Sequence, residues 1–111
     1  MVLAHLADPA RPAVVIARRP KSGMEEAFRV WSEGIFQVMA AQPGFQSYQA
    51  VPPVPGESPD WYFIFTFEGP ESLKAWLASE TRAQWQARSQ SLTEGPGHTR
   101  VVSGMEHLFG L

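Results

Sequence analysis

Few side chains in this sequence can do chemistry, and their spacing disposes of most reactions they might be asked to support. The three histidines are His5, His98 and His107. His98 and His107 fall on one extended run, which sets them roughly 30 Å apart and on opposite faces unless Gly104 inserts a bulge. They cannot share a metal within one chain. His98, near the start of that run, could serve as a base, but surface histidine is the simpler reading, and His5 is expected to be solvent-exposed. Glu25, Glu71 and Glu80 fall in first turns of expected helices, where compensation of the helix dipole explains them better than catalysis. Arg18 and Arg19 are adjacent on a strand and must point to opposite sides, one over the helices and one over the far face. Either could hold an anion, although exposed strand-end charges are the plainer expectation. No Gly-rich phosphate loop, no Gly-x-Ser-x-Gly and no Ser/His/Asp arrangement can be argued. With no cysteine in the chain, disulfides, thiolate nucleophiles, iron-sulfur clusters and Cys-based zinc sites are excluded.

Whatever chemistry remains must be positioned by the fold, and the fold is organised around Asp60 to Glu68, Asp-Trp-Tyr-Phe-Ile-Phe-Thr-Phe-Glu. In a strand, Trp61, Phe63, Phe65 and Phe67 share one face, while Tyr62, Ile64 and Thr66 take the other. Both faces are mostly apolar. One layer of helices covers only one of them, so the second requires another sheet, a partner chain or a ligand.

At 111 residues the chain is one domain, able to bury roughly two thirds of its unfolded surface. Nine Lys plus Arg against eleven Asp plus Glu give a formal charge of -2, with no basic block to neutralise a run of phosphates, so nucleic acid is not an expected partner. Residues 1–12 lack the apolar core of a signal peptide and no stretch is long enough to cross a bilayer, which makes the cytoplasm the default expectation.

Residues 1–11 read as a flexible N-terminal arm, and residues 12–111 as the folded domain. Ala13 to Arg19 is a β-branched run closed by Pro20, apolar on both faces, and reads as a central strand. Ser22-Gly23-Met24-Glu25 has the form of a capping box. Met24, Phe28, Trp31, Ile35, Val38 and Met39 then recur at three- and four-residue steps along a helix that Gln42-Pro43-Gly44 ends. Gly34 lies inside it at a cost of roughly 1 kcal/mol relative to Ala, with close approach to the sheet as its expected use. Phe45 to Val51 is more polar and suits an edge strand, with Phe45, Ser47, Gln49 and Val51 on one face and Gln46, Tyr48 and Ala50 on the other. The proline-rich residues 52–59 make a stiff surface loop joining an antiparallel pair. Gly69-Pro70-Glu71 opens a helix that buries Leu73, Trp76 and Leu77. The apolar stripe then loses phase, because Trp85 and Leu92 do not continue it, so two short helices are expected to meet near Ser79. A last strand is expected from His98 to Leu108, with Gly104 as its bulge.

The resulting order is βαββαβ: an α+β, ferredoxin-like fold with a four-stranded antiparallel sheet and helices on one face. The surplus apolar face predicts a homodimer, sheet against sheet, closing a dimeric α/β barrel. From about residue 12 to 110 the chain resembles the dimeric α/β-barrel superfamily, specifically the antibiotic biosynthesis monooxygenase family. The matching features are Pro43-Gly44-Phe45, Asp60-Trp61, Leu73-x-x-Trp76-x-x-Ser79 and Ser103-Gly104-Met105-Glu106. Some look-alikes continue into membrane-spanning helices that this chain lacks, so it reads as a variant without them or as a domain excised from a longer membrane-anchored protein.

The resemblance implies oxygen insertion into electron-rich aromatic or quinone-like substrates, without metal or flavin cofactor, in a pocket between sheet and helices where the substrate anion itself activates oxygen. Such a pocket needs apolar walls and one or two polar groups to hold the deprotonated substrate. The candidate substrate-binding walls are Phe28, Trp31 and Trp76, with either Phe63 and Phe65 or Ile64 from the third strand. Ordinary core packing is the plainer alternative for the same residues. Haem-degrading relatives carry a strand-one Asn, a Trp in the second helical region and a His about ten residues beyond it. Trp76 matches, but the ten-residue position holds Gln86 and the first strand has no Asn, so haem degradation is disfavoured. The competing function is a non-catalytic dimer that binds a small ligand or serves as a sensing module.

Overall fold

The structure is a computed structural model that describes residues 12–102. The expected arm, His5, the far half of the expected last strand with its Gly104 bulge, His107 and the 103–106 motif lie outside the described residues.

Seven elements follow in order: β1 (Ala13–Arg18), α1 (Glu25–Ala40), β2 (Phe45–Val51), β3 (Trp61–Phe67), α2 (Pro70–Leu77), α3 (Glu80–Ser89) and β4 (His98–Val102). The strands form one antiparallel sheet in the order β2-β3-β1-β4. The two most apolar runs therefore occupy the centre, and the polar run Phe45–Val51 lies at an edge, where unpaired backbone groups can face water. This is the expected ferredoxin-like α+β fold. Among the described residues no helix is long and apolar enough to cross a membrane.

The helices cover one face only. Phe63, Phe65 and Phe67 of β3 join Val14 and Ile16 of β1, Val101 of β4, Phe28 and Met39 of α1, and Leu73 and Trp76 of α2 in the buried core. Phe28 is fully buried, with its ring 5.4 Å from that of Trp31 and 5.9 Å from that of Phe63. Burial of one such ring contributes about 1.5–3 kcal/mol.

The opposite face differs from expectation. Val15, Ala17 and Ile64 form an apolar centre there, but their register partners on the flanking strands are Gln49 of β2 and His98 and Arg100 of β4. Those three flanking side chains, with Ser47, are exposed. The face is an apolar stripe between polar margins, because the central strands are apolar on both sides and the edge strands are not.

Four local expectations are corrected. First, β1 ends at Arg18, one residue early, since Arg19 turns out to pair with Asp60 at 2.8 Å. Second, the capping box does not close. Gly23 at φ +88° carries Ser22 past the helix start, Met24 becomes an N-cap without a side-chain bond, and only the Glu25 half survives, its carboxylate accepting from the Gly23 N–H at 2.9 Å. Third, Gly34 faces Trp85 rather than the sheet: a methyl there would lie 2.6 Å from the indole Cη2. Fourth, a bulge in β2 between Phe45 and Ser47 shifts the register, so Phe45 joins Tyr48 and Ala50 on the helix side. Phe45 meets Phe67 at 5.9 Å and Phe36 at 6.1 Å.

The break between α2 and α3 falls where the sequence places it. Ser79 is the N-cap of α3, its hydroxyl accepting from the Arg82 N–H at 3.1 Å and donating to the Trp76 carbonyl at 2.7 Å. That one side chain satisfies the ends of both helices and sets where Arg82 and Trp76 stand relative to each other.

Candidate functional site

Sheet and helices do not close completely over the middle of the domain. A narrow cleft with a cavity volume of about 40 Å³ lies between them. Its sheet side is made by Ile16 and Arg18 of β1, Phe63 and Phe65 of β3, and Tyr48 of β2. Its helix side is made by Trp31, Ile35 and Met39 of α1, Trp76 of α2, and Arg82 and Gln86 of α3. The four-residue spacing of Trp31, Ile35 and Met39, and of Arg82 and Gln86, puts each set on one helical face.

Of the sequence-predicted walls, Trp31, Phe63, Phe65 and Trp76 line this cleft together. Phe28 stands behind them, without contact to the open space, and braces Trp31, Trp61 and Phe63. Ile64, the alternative to the phenylalanines, points to the opposite face. The Trp31 indole is fixed by a 2.8 Å hydrogen bond from Nε1 to the Trp85 carbonyl, which ties α1 to α3 across the mouth.

Sequence reasoning missed the polar members. Arg18, expected as an exposed strand-end charge, is 9% exposed. It points to the helix side because it stands opposite Trp61 in the β1–β3 register. Its Nη1 donates to the Ala17 carbonyl at 2.9 Å and the His98 carbonyl at 3.2 Å, and its Nη2 to Thr99 Oγ1 at 3.3 Å. Gly97, at φ +68°, makes room for it, since a methyl there would sit 2.5 Å from Nη1. Arg82 is half-buried, with Nη1 3.3 Å from the Leu77 carbonyl. Among the described residues no carboxylate pairs with either guanidinium. Burial lowers the pKa of both, and the like charge of Arg82 lowers that of Arg18 further. Both stay charged at neutral pH.

Tyr48 is the third polar member. Its ring stacks on Phe36 at 4.3 Å, and burial, assisted by Glu33, raises its phenol to about 12. It is a neutral hydroxyl at physiological pH. The signal that could have flagged Arg18 was its parity: it shares the phase of Val14 and Ile16, both expected to be buried if β1 is central. Arg82 carried no such signal, because its side-chain hydrogen bond goes to the Leu77 carbonyl of α2 and its place beside the cleft depends on how α3 packs.

Desolvating a positive charge is unfavourable unless a counter-charge arrives, so Arg18, buried, and Arg82, half-buried, beside apolar walls and without a described carboxylate, favour an anion over a cation near the cleft. Among the described residues no group of three or more His, Asp or Glu is arranged to hold a metal.

The comparisons with known proteins agree with this architecture. The structure is similar to that of Rv0793 from Mycobacterium tuberculosis, with TM-score 0.73 and 16% identity over 84% of this chain and 93% of that one. It is similar to SnoaB, a cofactor-independent oxygenase from Streptomyces nogalater, with TM-score 0.64 and 13% identity over 83% of this chain and 90% of the other. A dimeric ferredoxin-like protein of unknown function from Jannaschia sp. CCS1 aligns with TM-score 0.65 and 15% identity, covering 83% of this chain and 95% of its own. Comparison with curated protein sequences gives no match. The family model for antibiotic biosynthesis monooxygenase matches residues 13–88, a span that holds every residue lining the cleft, and the chain belongs to that family.

Proposed function

We propose that this protein is a cofactor-independent monooxygenase acting on a small aromatic or quinone-like compound, bound as its anion in the cleft between sheet and helices. The observation that carries the reading is that Arg18 and Arg82, neither paired with a described carboxylate, are among the residues lining an otherwise apolar, aromatic cleft. Held in that field, a phenol or enol ionises more readily, and an electron-rich anion is what reacts with dioxygen in the absence of other help. The apolar walls keep water from competing for the charge. Membership of the family and the likeness to SnoaB support the same direction.

The test is oxygen uptake by purified protein mixed with a panel of hydroquinones and dihydroxyanthracene-type compounds. Uptake is expected with at least one class, and Arg82→Met is expected to lower kcat/KM by about 100-fold, the effect of removing one donor from an oxyanion. No uptake across the panel sinks the enzyme reading.

A second reading has a specific observation behind it. Among the described residues, those lining the cleft include neither histidine nor carboxylate. A site without an acid-base pair also suits a protein that captures an anionic aromatic ligand and does nothing further to it. Tight binding without oxygen uptake supports that alternative.

The domain is also proposed to act as a homodimer through its helix-free face. The apolar stripe of Val15, Ala17 and Ile64 between polar margins has the core-and-rim composition of a protein interface. The Jannaschia neighbour, described as dimeric, supports the same assembly.

A further inference from the structure

The cleft as it stands is too small for the ligand its walls suit. A cavity of about 40 Å³ has room for water, whereas a single benzene ring takes a cavity of about 150 Å³. A wall has to move before a ring can enter, and the walls differ in how firmly they are held. The sheet is tied by its ladders. α1 buries Phe28 and Met39, and α2 buries Leu73 and Trp76. In α3 the one buried residue is Ser89, while Arg82, Trp85 and Gln86 are half-buried and the rest face water. A helix that buries so little apolar surface has little to hold it down.

α3 is fixed at its ends rather than along its length. In front, the Ser79 hydroxyl binds it to the end of α2. Behind, the Lys21 N–H donates to the Leu92 carbonyl at 2.8 Å and the Glu94 N–H to the Arg19 carbonyl at 2.8 Å, which pins residues 92–94 to the end of β1. Between these anchors the bond from Trp31 Nε1 to the Trp85 carbonyl ties α3 to α1. Among the described residues no side-chain hydrogen bond or ion pair joins α3 to the sheet. Beyond the helix there is already space. Gln86, with Arg18, lines both the cleft and an adjoining open recess of about 460 Å³, whose other walls include Ser89 and Gln90. Outward movement of α3 withdraws Arg82 and Gln86 from the cleft and joins the two spaces, which reaches the size of an ordinary small-molecule site.

We propose that α3 is a strap over the cleft: this structure is its closed state, the Trp31–Trp85 hydrogen bond is its latch, and an aromatic ring enters when the strap lifts between its anchors at Ser79 and residues 92–94. The inference rests on the reading of the cleft as the ligand site, and adds that binding draws on a minor open population. It also gives Arg82 a second part, since the strap carries that cation onto the ligand as it closes.

The experiment is thiol labelling, which a chain without cysteine makes clean. Met39→Cys places the thiol on the cleft wall of α1, and Val14→Cys places it in the core away from the cleft. The two positions are 4% and 0% exposed, so neither labels in a static molecule. Ile16→Cys, on the cleft side of β1, is a second reporter if Met39→Cys does not fold. Iodoacetamide is expected to label Met39→Cys at least about ten-fold faster than Val14→Cys, with little dependence on urea below the unfolding transition, where labelling of Val14→Cys climbs steeply. Gly34→Ala assigns the movement to α3. Its methyl crowds Trp85 only while the strap is closed, and the helix propensity it adds to α1 persists when the strap lifts but not when the chain unfolds. Labelling of Met39→Cys is therefore expected to rise roughly ten-fold with Gly34→Ala, and by more than that of Val14→Cys. Equal rates at the two thiols, the same urea dependence at both, or no rise with Gly34→Ala overturns the inference. Labelling requires neither substrate nor oxygen, so its outcome separates from that of the uptake assay. A protein that labels as expected and consumes no oxygen keeps the strap and loses the enzyme, whereas oxygen uptake by a protein whose cleft stays shut does the reverse.

Discussion

At the scale of single residues, the site depends on groups that have no meaning apart from their neighbours. Gly97 is the clearest case. Its left-handed backbone and missing side chain admit the Arg18 guanidinium, and an alanine there would be strained by its φ and would overlap the Ala17 carbonyl oxygen. Gly97→Ala is expected to destabilise the domain by about 2–3 kcal/mol, read as a lower urea midpoint, and to weaken anion binding with it. An unchanged midpoint contradicts the cradle assigned to Gly97. Tyr48 supplies a second residue-scale test. In the folded state its phenol titrates at about 12, against 10.0 for the free group, chiefly because burial disfavours the phenolate. The folded protein therefore holds the proton through a pH range in which the unfolded chain has lost it. Stability from this group is intact below pH 10 and falls as pH rises from about 10 to about 12. Urea midpoints measured at pH 9 and pH 11 are expected to show the decline, and Tyr48→Phe to reduce it. A decline equally steep in Tyr48→Phe places its origin elsewhere.

At the scale of elements, the cleft exists because three helices are held at set distances from one sheet. The spacing of α1 and α3 is governed by Gly34 under the Trp85 indole, whose Cη2 and Cζ3 would lie 2.6 and 2.7 Å from an added methyl. Two effects then oppose each other in Gly34→Ala. Helix propensity favours Ala by about 1 kcal/mol, and crowding against a packed ring costs about 1–3 kcal/mol. Crowding is expected to win, so the single variant is less stable than the parent. In a Trp85→Ala background the same substitution is expected to stabilise, since propensity alone remains. A denaturation cycle over the four proteins measures this, and the same sign in both backgrounds disproves the proposed contact. The register of β2 is a second element-scale device. Its bulge lets Phe45 and Tyr48, three residues apart, both reach the helix side, where strict alternation allows only one of them.

At the scale of the whole molecule, the helix-free face is the proposed surface of assembly. An apolar stripe bounded by Gln49, His98 and Arg100 is expected to bring two copies together, at twice the 12.3 kDa chain mass in sedimentation equilibrium. Ile64→Arg, placed in the stripe and away from the cleft, is expected to yield folded monomers. A parent protein that stays monomeric and folded at low micromolar concentration removes the dimer. Much of this molecule was legible in its sequence. The aromatic alternation of Trp61–Phe67, the stripe of α1 and the phase break at Ser79 are local periodicities, and local periodicity determines which elements form and which side each buries. The walls Trp31, Trp76, Phe63 and Phe65 followed from them, because a side chain on an inner stripe must face the sheet. The cations did not follow. Arg18 and Arg82 are distant in the chain, one at the end of a strand and one in the first turn of a helix, and only strand order, register and the room at Gly97 bring both to one cleft. Periodicity says which face a residue takes, but charge burial depends on what the rest of the chain places opposite it, and that is settled in three dimensions.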